Sequence, residues 1–194
     1  MGNASDGDQG RPAPSSGRGW LGAHLVTLTL REPELLFGQV VDGRMVLDEP
    51  GTIVGEEWRR LPTLVPQVRL DEFTVMPNHI HGIIRLGEVA RGKAGRRRGR
   101  PPRRRGSGEM AVLGAAINQF KAVVTRRINA LRGRSGPLWQ AGYRDIPIED
   151  EHELAALRRY VLDNPARWAD DVENPERPRA HACEVGAEPE RPGP

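Results

Sequence analysis

Residues 71–86 read DEFTVMPNHIHGIIRL and contain the most informative pattern of the chain. The residues after Asn78 alternate as in a β-strand, with one face formed by Ile80, Gly82, Ile84 and Leu86. Because strand side chains alternate between two faces, His79 and His81 share the opposite face. Such a pair can chelate one divalent cation when a third ligand arrives from elsewhere in the chain. The alternative is an ordinary pair of surface or half-buried histidines, so the surrounding sequence has to decide.

Composition indicates where the folded region begins and ends. The chain has 194 residues, enough for one domain with tails. Residues 1–19 and 171–194 are rich in Gly, Pro and polar or charged residues and hold few large apolar side chains. Such segments bury too little apolar surface to offset the entropy lost on ordering, so we expect both to be disordered. The predicted domain therefore covers residues 20–170, which is large enough to bury a hydrophobic core.

Cysteine usage and hydropathy indicate the compartment. Cys183 is the only cysteine, which excludes a disulfide framework and a cysteine-rich zinc site. No apolar run approaches the length of a membrane span, and the N-terminal residues lack the apolar stretch of a signal peptide. We therefore expect a cytoplasmic protein without a membrane partner, associated with the nucleoid through any DNA that it binds.

Basic residues are concentrated in an insert over residues 87–108. Within it, residues 91–105 read RGKAGRRRGRPPRRR and hold nine of the 29 Lys and Arg, while the other 20 face 26 Asp and Glu. Such a run suits the neutralisation of nucleic-acid phosphates. The sequence around Arg98 and Arg100, Arg-Gly-Arg-Pro, resembles the core of AT-hooks, which bind the minor groove of A·T-rich DNA. The alternative is a solvated basic linker with nonspecific affinity for nucleic acid.

Hydrophobic periodicity predicts a mixed α+β fold. Apolar runs predict a set of strands, at residues 23–31, 68–76, 79–86 and 144–148, with a hairpin over 36–47 turned at Asp42-Gly43. Helical spacing predicts helices at residues 51–61, 109–132 and 150–163. This order of elements suggests an antiparallel sheet with the helices packed on one face.

The longest predicted helix carries basic residues beside its buried stripe. The stripe consists of apolar residues three or four apart, Leu113, Ile117, Phe120, Val124, Ile128 and Leu131. Lys121, Arg126 and Arg127 lie off this stripe, so they are candidates for lining a groove that binds a DNA strand. A solvated helix face is the alternative interpretation.

Tyr160 and Asn164 would give the histidine pair its chemistry. They lie four residues apart near the end of the last predicted helix, a spacing that places both on one face. His79, His81 and Asn164 would form a two-nitrogen, one-oxygen site for Mg²⁺ or Mn²⁺. Tyr160 would then attack a phosphodiester that the ion polarises. Alternatively, Tyr160 packs on the sheet and Asn164 caps the helix C-terminus.

Six blocks of sequence, in this order, resemble a known family. They are LFG at residues 36–38, LDEF at 70–73, VMPNHIHGII at 75–84, FKAVVTRRIN at 120–129, LWQAGY at 138–143 and YVLDNP at 160–165. Together they are similar to the single-tyrosine transposases of the HUH class, and most similar to the REP-associated tyrosine transposase branch. The resemblance implies a ferredoxin-like or RRM-like α+β fold, acting as a monomer or a homodimer.

The same resemblance implies a reaction and a role for four residues. The reaction is metal-dependent cleavage and rejoining of single-stranded DNA near a hairpin. His79 and His81 match the metal ligands, and Asn164 matches a further ligand on the helix. Tyr160 matches the nucleophile that forms a 5′-phosphotyrosine bond and leaves a free 3′-OH. Because the covalent bond would conserve the energy needed for rejoining, no nucleotide cofactor is expected.

Two other functions stay open beside this enzyme. Relatives often carry a His and an Arg where this sequence has Ile146 and Glu149. That departure suits a domesticated relative that holds hairpin DNA without productive chemistry, although binding alone would not require the four residues of the implied site. An RNA-binding sheet is the weaker alternative, because such sheets stack bases on aromatic pairs and only Phe73 is available in the relevant strands.

Overall fold

The structure is a computed structural model that describes residues 20–87 and 107–177. The elements found there are β1 (Trp20–Thr29), β2 (Gly38–Val41), β3 (Arg44–Leu47), α1 (Glu49–Leu64), β4 (Val68–Val75), β5 (His79–Gly87), α2 (Ser107–Arg132), β6 (Arg144–Ile148), α3 (Glu151–Asp163) and a 3₁₀ helix (Pro165–Asp170). None of the helices in these two ranges combines the length and the apolar character needed to cross a membrane.

Four of the strands form one antiparallel sheet in the order β4-β5-β1-β6. The central pair of strands places Thr27 opposite His81 and Thr29 opposite His79. Strands β2 and β3 form a separate hairpin. The hairpin turns at Asp42 and Gly43, whose φ angles are 48° and 71°. Positive φ at both turn residues is the conformation that Asp-Gly favours, so the predicted hairpin is confirmed.

The larger core lies between the sheet and helices α1 and α2. Trp58 of α1 belongs to this core and is 1% exposed. Its indole stacks on Phe73 of β4 and meets Phe120 of α2 edge to face. The indole also lies directly against Gly82 of β5, where any side chain would clash with it. The absence of a side chain at this position lets α1 pack closely on the strand that carries the histidines.

The buried stripe predicted on α2 is present along most of the helix. Its members from Leu113 to Ile128 are fully buried or nearly so, whereas Leu131 is 43% exposed. Leu131 lies in the last turn of α2. Helical spacing gives the direction of a side chain but not the length of the surface that covers it, so the prediction was wrong at this end.

Helix α3 packs on the opposite face of the sheet from α1 and α2. Leu154 and Val161 of α3 form a second core cluster with Leu25 and Ile83. The next residue along each of these two strands packs with α1 and α2 instead, as alternation requires. The predicted α+β fold with an antiparallel sheet and helices packed on it is confirmed. The expectation that all helices share one face is wrong, because periodicity identifies the buried stripe of a helix and not the sheet face that receives it.

The described chain continues past the predicted domain boundary at residue 170. Residues 171–177 follow the 3₁₀ helix, and the backbone oxygen of Glu173 accepts a hydrogen bond of 2.5 Å from Asn78 Nδ2. This contact attaches the segment to the turn before β5. Residues 1–19, 88–106 and 178–194 lie outside the described residues, and with them most of the predicted insert and tails.

Candidate active site

His79 and His81 lie side by side on the face of β5 that α3 covers. His79 is completely buried and His81 is 6% exposed. Their Nε2 atoms are 3.0 Å apart, and the two rings meet edge to face. The alternation of β5 therefore places both imidazoles together, as the sequence pattern predicts.

Each imidazole is fixed by a hydrogen bond at its other nitrogen. Nδ1 of His79 lies 2.9 Å from Asn78 Oδ1, and Nδ1 of His81 lies 2.9 Å from Thr27 Oγ1. Thr27 reaches His81 because the two residues are paired across β1 and β5. Partners at Nδ1 orient the rings and leave the two Nε2 atoms facing a common space.

Burial keeps both histidines neutral. Loss of solvation lowers the pKa of His79 and of His81 below the ordinary value of 6.5. For His81, the neighbouring His79 and the charge of Arg144 lower the pKa further, while Asp171 acts in the opposite direction. A neutral imidazole is the form that binds a metal ion, so the pair is prepared for coordination at neutral pH.

Asp171 adds a carboxylate to the histidine pair. Its Oδ2 lies 3.6 Å from His79 Nε2, and its side chain is 10% exposed. Three possible ligand atoms, one each from His79, His81 and Asp171, lie within 4.8 Å of one another. Two neutral nitrogens and one carboxylate oxygen are a donor set that fits a divalent cation. Asp171 could not be predicted from the sequence, because it lies in a segment predicted to be disordered and no local pattern links it to β5.

Tyr160 lies beside the histidines on helix α3. Its ring is 5.4 Å from that of His81, centre to centre, with the planes inclined by 67°. The side chain is 41% exposed, whereas the histidines beneath it are buried. The structure therefore brings together a phenol that solvent can reach and the candidate metal ligands, which lie on different elements far apart in sequence.

Asn164 lies immediately after α3 and is 4% exposed. Its Nδ2 donates a hydrogen bond of 2.7 Å to the backbone oxygen of Tyr160. This bond satisfies one carbonyl of the last helical turn, the capping role that was the alternative interpretation of this residue. The amide oxygen is the atom through which Asn164 would act as the predicted ligand.

Helix α3 is held to the sheet by an ion pair close to Tyr160. Arg158 donates two hydrogen bonds to Asp71 of β4, at 2.6 and 2.7 Å. The Arg158 side chain, with help from the Glu72 backbone and from Arg85, lowers the pKa of Asp71 despite its burial. At its other end α3 is capped by Asp150, which accepts a hydrogen bond from the backbone of Glu153. These contacts fix the direction in which the helix presents Tyr160.

Two of the basic residues of α2, Lys121 and Arg127, make contacts within the domain. Lys121 donates through Nζ to the backbone oxygens of Gln140 and Gly142, at 2.6 and 2.8 Å. Arg127 binds two glutamates of α1, Glu56 and Glu57. Both cations are thus occupied by contacts within the domain.

The sequence offers three further candidates for DNA contact, Arg126, Arg98 and Arg100. Arg126 is exposed on α2. Arg98 and Arg100 lie outside the described residues, so the AT-hook-like sequence stays a prediction.

A cleft of about 380 Å³ opens beside Thr27, the hydrogen-bond partner of His81. Thr27, Gln140, Arg144 and Glu173 contribute to its lining. Thr27 connects the cleft to His81, and Arg144 adds an exposed positive charge close enough to affect that histidine. Gln140 belongs to one of the six sequence blocks that resemble the transposase family. The position of Arg144 could not be predicted from the sequence, because it depends on the pairing of β6 with β1.

Comparison with known proteins finds a relative in sequence and several solved structures that are similar. No protein-family model matches this sequence. An uncharacterized protein of Haemophilus influenzae is 32% identical over 154 residues, which cover 77% of this chain and 83% of that protein.

Two of the similar solved structures carry transposase names. One is described as the structure of the REP associates tyrosine transposase bound to a REP hairpin, with a TM-score of 0.47, 16% identity and coverage of 79% of this chain and 75% of that chain. The other is a proposed transposase of Deinococcus radiodurans R1, with a TM-score of 0.39, 18% identity and coverage of 80% and 95%.

The identity to the Haemophilus influenzae protein extends over more than two thirds of both chains. This protein therefore belongs to the same family as that uncharacterized protein of Haemophilus influenzae.

Proposed function

We propose that this protein is a metal-dependent nuclease and strand transferase that acts on single-stranded DNA through a tyrosine nucleophile. The observation that carries the proposal is the packing of the exposed Tyr160 ring against His81, 5.4 Å between centres, beside a second buried histidine. A nucleophile next to candidate metal ligands is the arrangement that covalent phosphoryl transfer requires. The alternative interpretation of Tyr160 as a packing residue does not account for its exposure over a pair of buried neutral imidazoles.

The reaction consists of two exchanges at phosphorus. In the first, Tyr160 Oη forms a bond to the phosphorus while the bond from phosphorus to the 3′-oxygen breaks. The phenol proton passes to water, and the departing oxygen takes a proton from water. The products are a 5′-phosphotyrosine and a free 3′-OH. In the second exchange, a 3′-OH attacks the phosphotyrosine and loses its proton to water, while the oxygen of Tyr160 departs and takes a proton from water, so the phosphodiester is restored without a nucleotide cofactor.

The histidine pair would hold the metal ion for this reaction. His79 and His81 offer neutral Nε2 atoms, and Asn164 is the helix residue predicted to add an oxygen. A bound Mg²⁺ or Mn²⁺ would supply polarisation of the phosphate and neutralisation of its charge. Both ions accept mixed nitrogen and oxygen donors and leave positions open for phosphate oxygens.

The cleft beside the site is suited to the strand next to the cleaved phosphate. Arg144 would contact a phosphate there, as an exposed cation close to His81. Lys121 would act indirectly, because its ammonium group already holds the backbone of Gln140 and Gly142 at the cleft wall. The hairpin requirement rests on the sequence resemblance, and the AT-hook-like arginines Arg98 and Arg100 would add affinity for flanking DNA.

The test is a search for a covalent protein–DNA adduct. The purified protein is incubated with labelled single-stranded hairpin DNA from its own genomic flanks, with Mn²⁺ or Mg²⁺, and resolved on denaturing gels. We expect an adduct that Tyr160→Phe abolishes. Tyr143→Phe is the matched control, because Tyr143 and Tyr160 are the only tyrosines of the chain. Tight binding without adduct or cleavage on several flank sequences would refute the enzyme.

The second candidate function is hairpin-DNA binding without chemistry. Ile146 favours it, because this residue is 41% exposed on β6, and the transposases that the sequence resembles often carry a His and an Arg in this stretch. An apolar side chain there would lack a polar DNA contact while leaving Tyr160 and the histidines in place. Binding with no adduct in the experiment above would support this function instead.

A further inference from the structure

We propose that Asp171 is the anionic ligand of the metal site, and that Asn78 positions it by holding His79 and the segment 171–174 at the same time. Metal binding would then fasten the segment that follows the 3₁₀ helix to the centre of the sheet. This inference rests on the metal site of the proposed function. It assigns to two residues roles that the sequence blocks did not indicate.

The orientation of Asn78 follows from its partners. The backbone oxygen of Glu173 can only accept a hydrogen bond, so the Asn78 atom that lies 2.5 Å from it is the amide nitrogen. The amide oxygen is therefore the atom that faces His79 Nδ1, at 2.9 Å. An oxygen here accepts, so Nδ1 of His79 carries the proton and Nε2 keeps its lone pair. That lone pair is directed at the space shared with His81 and Asp171.

The carboxylate of Asp171 is oriented by its own segment. Its Oδ1 accepts a hydrogen bond of 2.8 Å from the backbone nitrogen of Glu173, which leaves Oδ2 as the oxygen nearest His79 Nε2, at 3.6 Å. The segment itself is closed by backbone bonds from Asp171 to Trp168 and from Asn174 to Asp171. Asn174 also donates through its side chain to the Trp168 oxygen. The turn therefore presents one free carboxylate oxygen toward the histidines.

Asn78 connects the two halves of this arrangement. It is 3% exposed and lies in the turn immediately before β5. One side-chain amide binds the imidazole of the first histidine and the backbone of the segment that carries the carboxylate. Partners of this kind, which hold metal ligands without touching the ion, typically change metal affinity by about 10–100-fold when removed.

Charge favours Asp171 over Asn164 as the anionic member of the site. The Asn164 amide is neutral, and its nitrogen is bound to the Tyr160 backbone oxygen. The Asp171 carboxylate lies against the two histidines, so a divalent cation would find one compensating negative charge there. The bound phosphate of a DNA strand would compensate the second charge.

The first experiment is calorimetric titration of the full chain with Mn²⁺ alone. We expect Asp171→Asn, which keeps the shape and removes the charge, to weaken Mn²⁺ binding by at least about 10-fold, and Asn78→Ala to weaken it by about 10–100-fold. Glu173→Gln is the matched control, because the contacts of Glu173 with Asn78 and Asp171 are made by its backbone. It removes a carboxylate two residues away and should bind Mn²⁺ like the unchanged protein. Thermal melts of each variant verify that the fold is kept.

The second measurement is amide hydrogen exchange of residues 171–174 with and without Mn²⁺. We expect Mn²⁺ to slow exchange there in the unchanged protein and to have no such effect in Asp171→Asn. In Asn78→Ala, exchange of this segment should be faster even without metal. A structural role for Asn78 in the turn before β5 alone would not produce a change confined to residues 171–174.

The outcomes separate this inference from the proposed function. If His79→Ala abolishes Mn²⁺ binding while Asp171→Asn binds as tightly as the unchanged protein, the metal site stands and the assignment of Asp171 is wrong. If the unchanged protein binds no Mn²⁺, the metal site and this inference both fail. If the Asp171→Asn variant binds Mn²⁺ with unchanged affinity and still forms the Tyr160 adduct, the proposed function stands and the inference alone is contradicted.

Discussion

Replacing Gly82 with alanine should destabilise the protein through one crowded contact. Gly82 lies on β5 between the strand residues that face α1, directly against the Trp58 indole. A Cβ built there clashes with Trp58 Cζ2 and comes within 2.8 and 2.9 Å of Cη2 and Cε2. The indole cannot move aside freely, because it is 1% exposed and is held between Phe73 and Phe120.

The magnitude follows from the rigidity of this contact. Added methyl groups in a packed core cost about 1–3 kcal/mol, and loss of the stack on Phe73 adds about 0.5–1.5 kcal/mol. We expect a fall in the free energy of unfolding of about 3 kcal/mol. For a chain of this size, each kcal/mol shifts the melting temperature by about 2–4 °C, so Gly82→Ala should melt about 6–12 °C lower.

The assay is urea and thermal unfolding, with a second glycine as the control. Gly114→Ala adds the same methyl group on α2, where the nearest atom outside the helix, Tyr143 Oη, is 3.8 Å from the new carbon. That change should stabilise the helix by about 0.5–1 kcal/mol, because alanine restricts the unfolded chain more than glycine. Trp58→Phe in the Gly82→Ala background should recover part of the loss. Equal stability of the two alanine variants would refute the packing argument.

Three further predictions follow from the charged and titrating groups. Asp71→Asn should lower the free energy of unfolding, measured by urea titration, by about 1.5–3 kcal/mol, because Arg158 loses a charged acceptor of two hydrogen bonds. An unchanged free energy of unfolding would mean that this ion pair does not hold α3. Between pH 7.5 and 5.5 the free energy of unfolding should fall as pH falls, because the unfolded histidines take up protons near their ordinary pKa of 6.5 while burial keeps the pKa of folded His79 and His81 lower. The double variant His79→Gln/His81→Gln should show a shallower dependence on pH, and an equal slope would contradict the burial of the pair. Lys121→Met should weaken single-stranded DNA binding without changing the slope of log affinity against log salt concentration, because Lys121 is bound to backbone oxygens and not to phosphate. Loss of one phosphate contact on a single strand reduces this slope by about 0.7, so a reduction of that size would show that Lys121 binds DNA directly.

The sequence was sufficient to predict those features that depend on the residue pattern of a single segment. The alternation around His79 and His81 predicts their shared face, and the Asp42-Gly43 turn predicts the hairpin. These features depend on residues within a few positions of one another. The same is true of the apolar spacing on α2 as far as Ile128.

Features that depend on distant segments could not be predicted in the same way. Asp171 reaches His79 only because a turn after the 3₁₀ helix returns to the sheet, and a composition rich in proline and charge predicted disorder there instead. Lys121 and Arg127 look like free cations in sequence, whereas their partners are a backbone loop and two glutamates of another helix. The placement of α3 on the second face of the sheet likewise depends on chain reversals that no apolar stripe records.

The position of the covalent bond tests the central claim most directly. The adduct formed with hairpin DNA and Mn²⁺ would be digested with protease and nuclease, and the modified peptide sequenced by tandem mass spectrometry. We predict a 5′-linked nucleotide on Tyr160 and on no other residue. A nucleotide attached to Tyr143, or cleaved DNA with no modified peptide, would contradict the assignment of Tyr160 as the nucleophile.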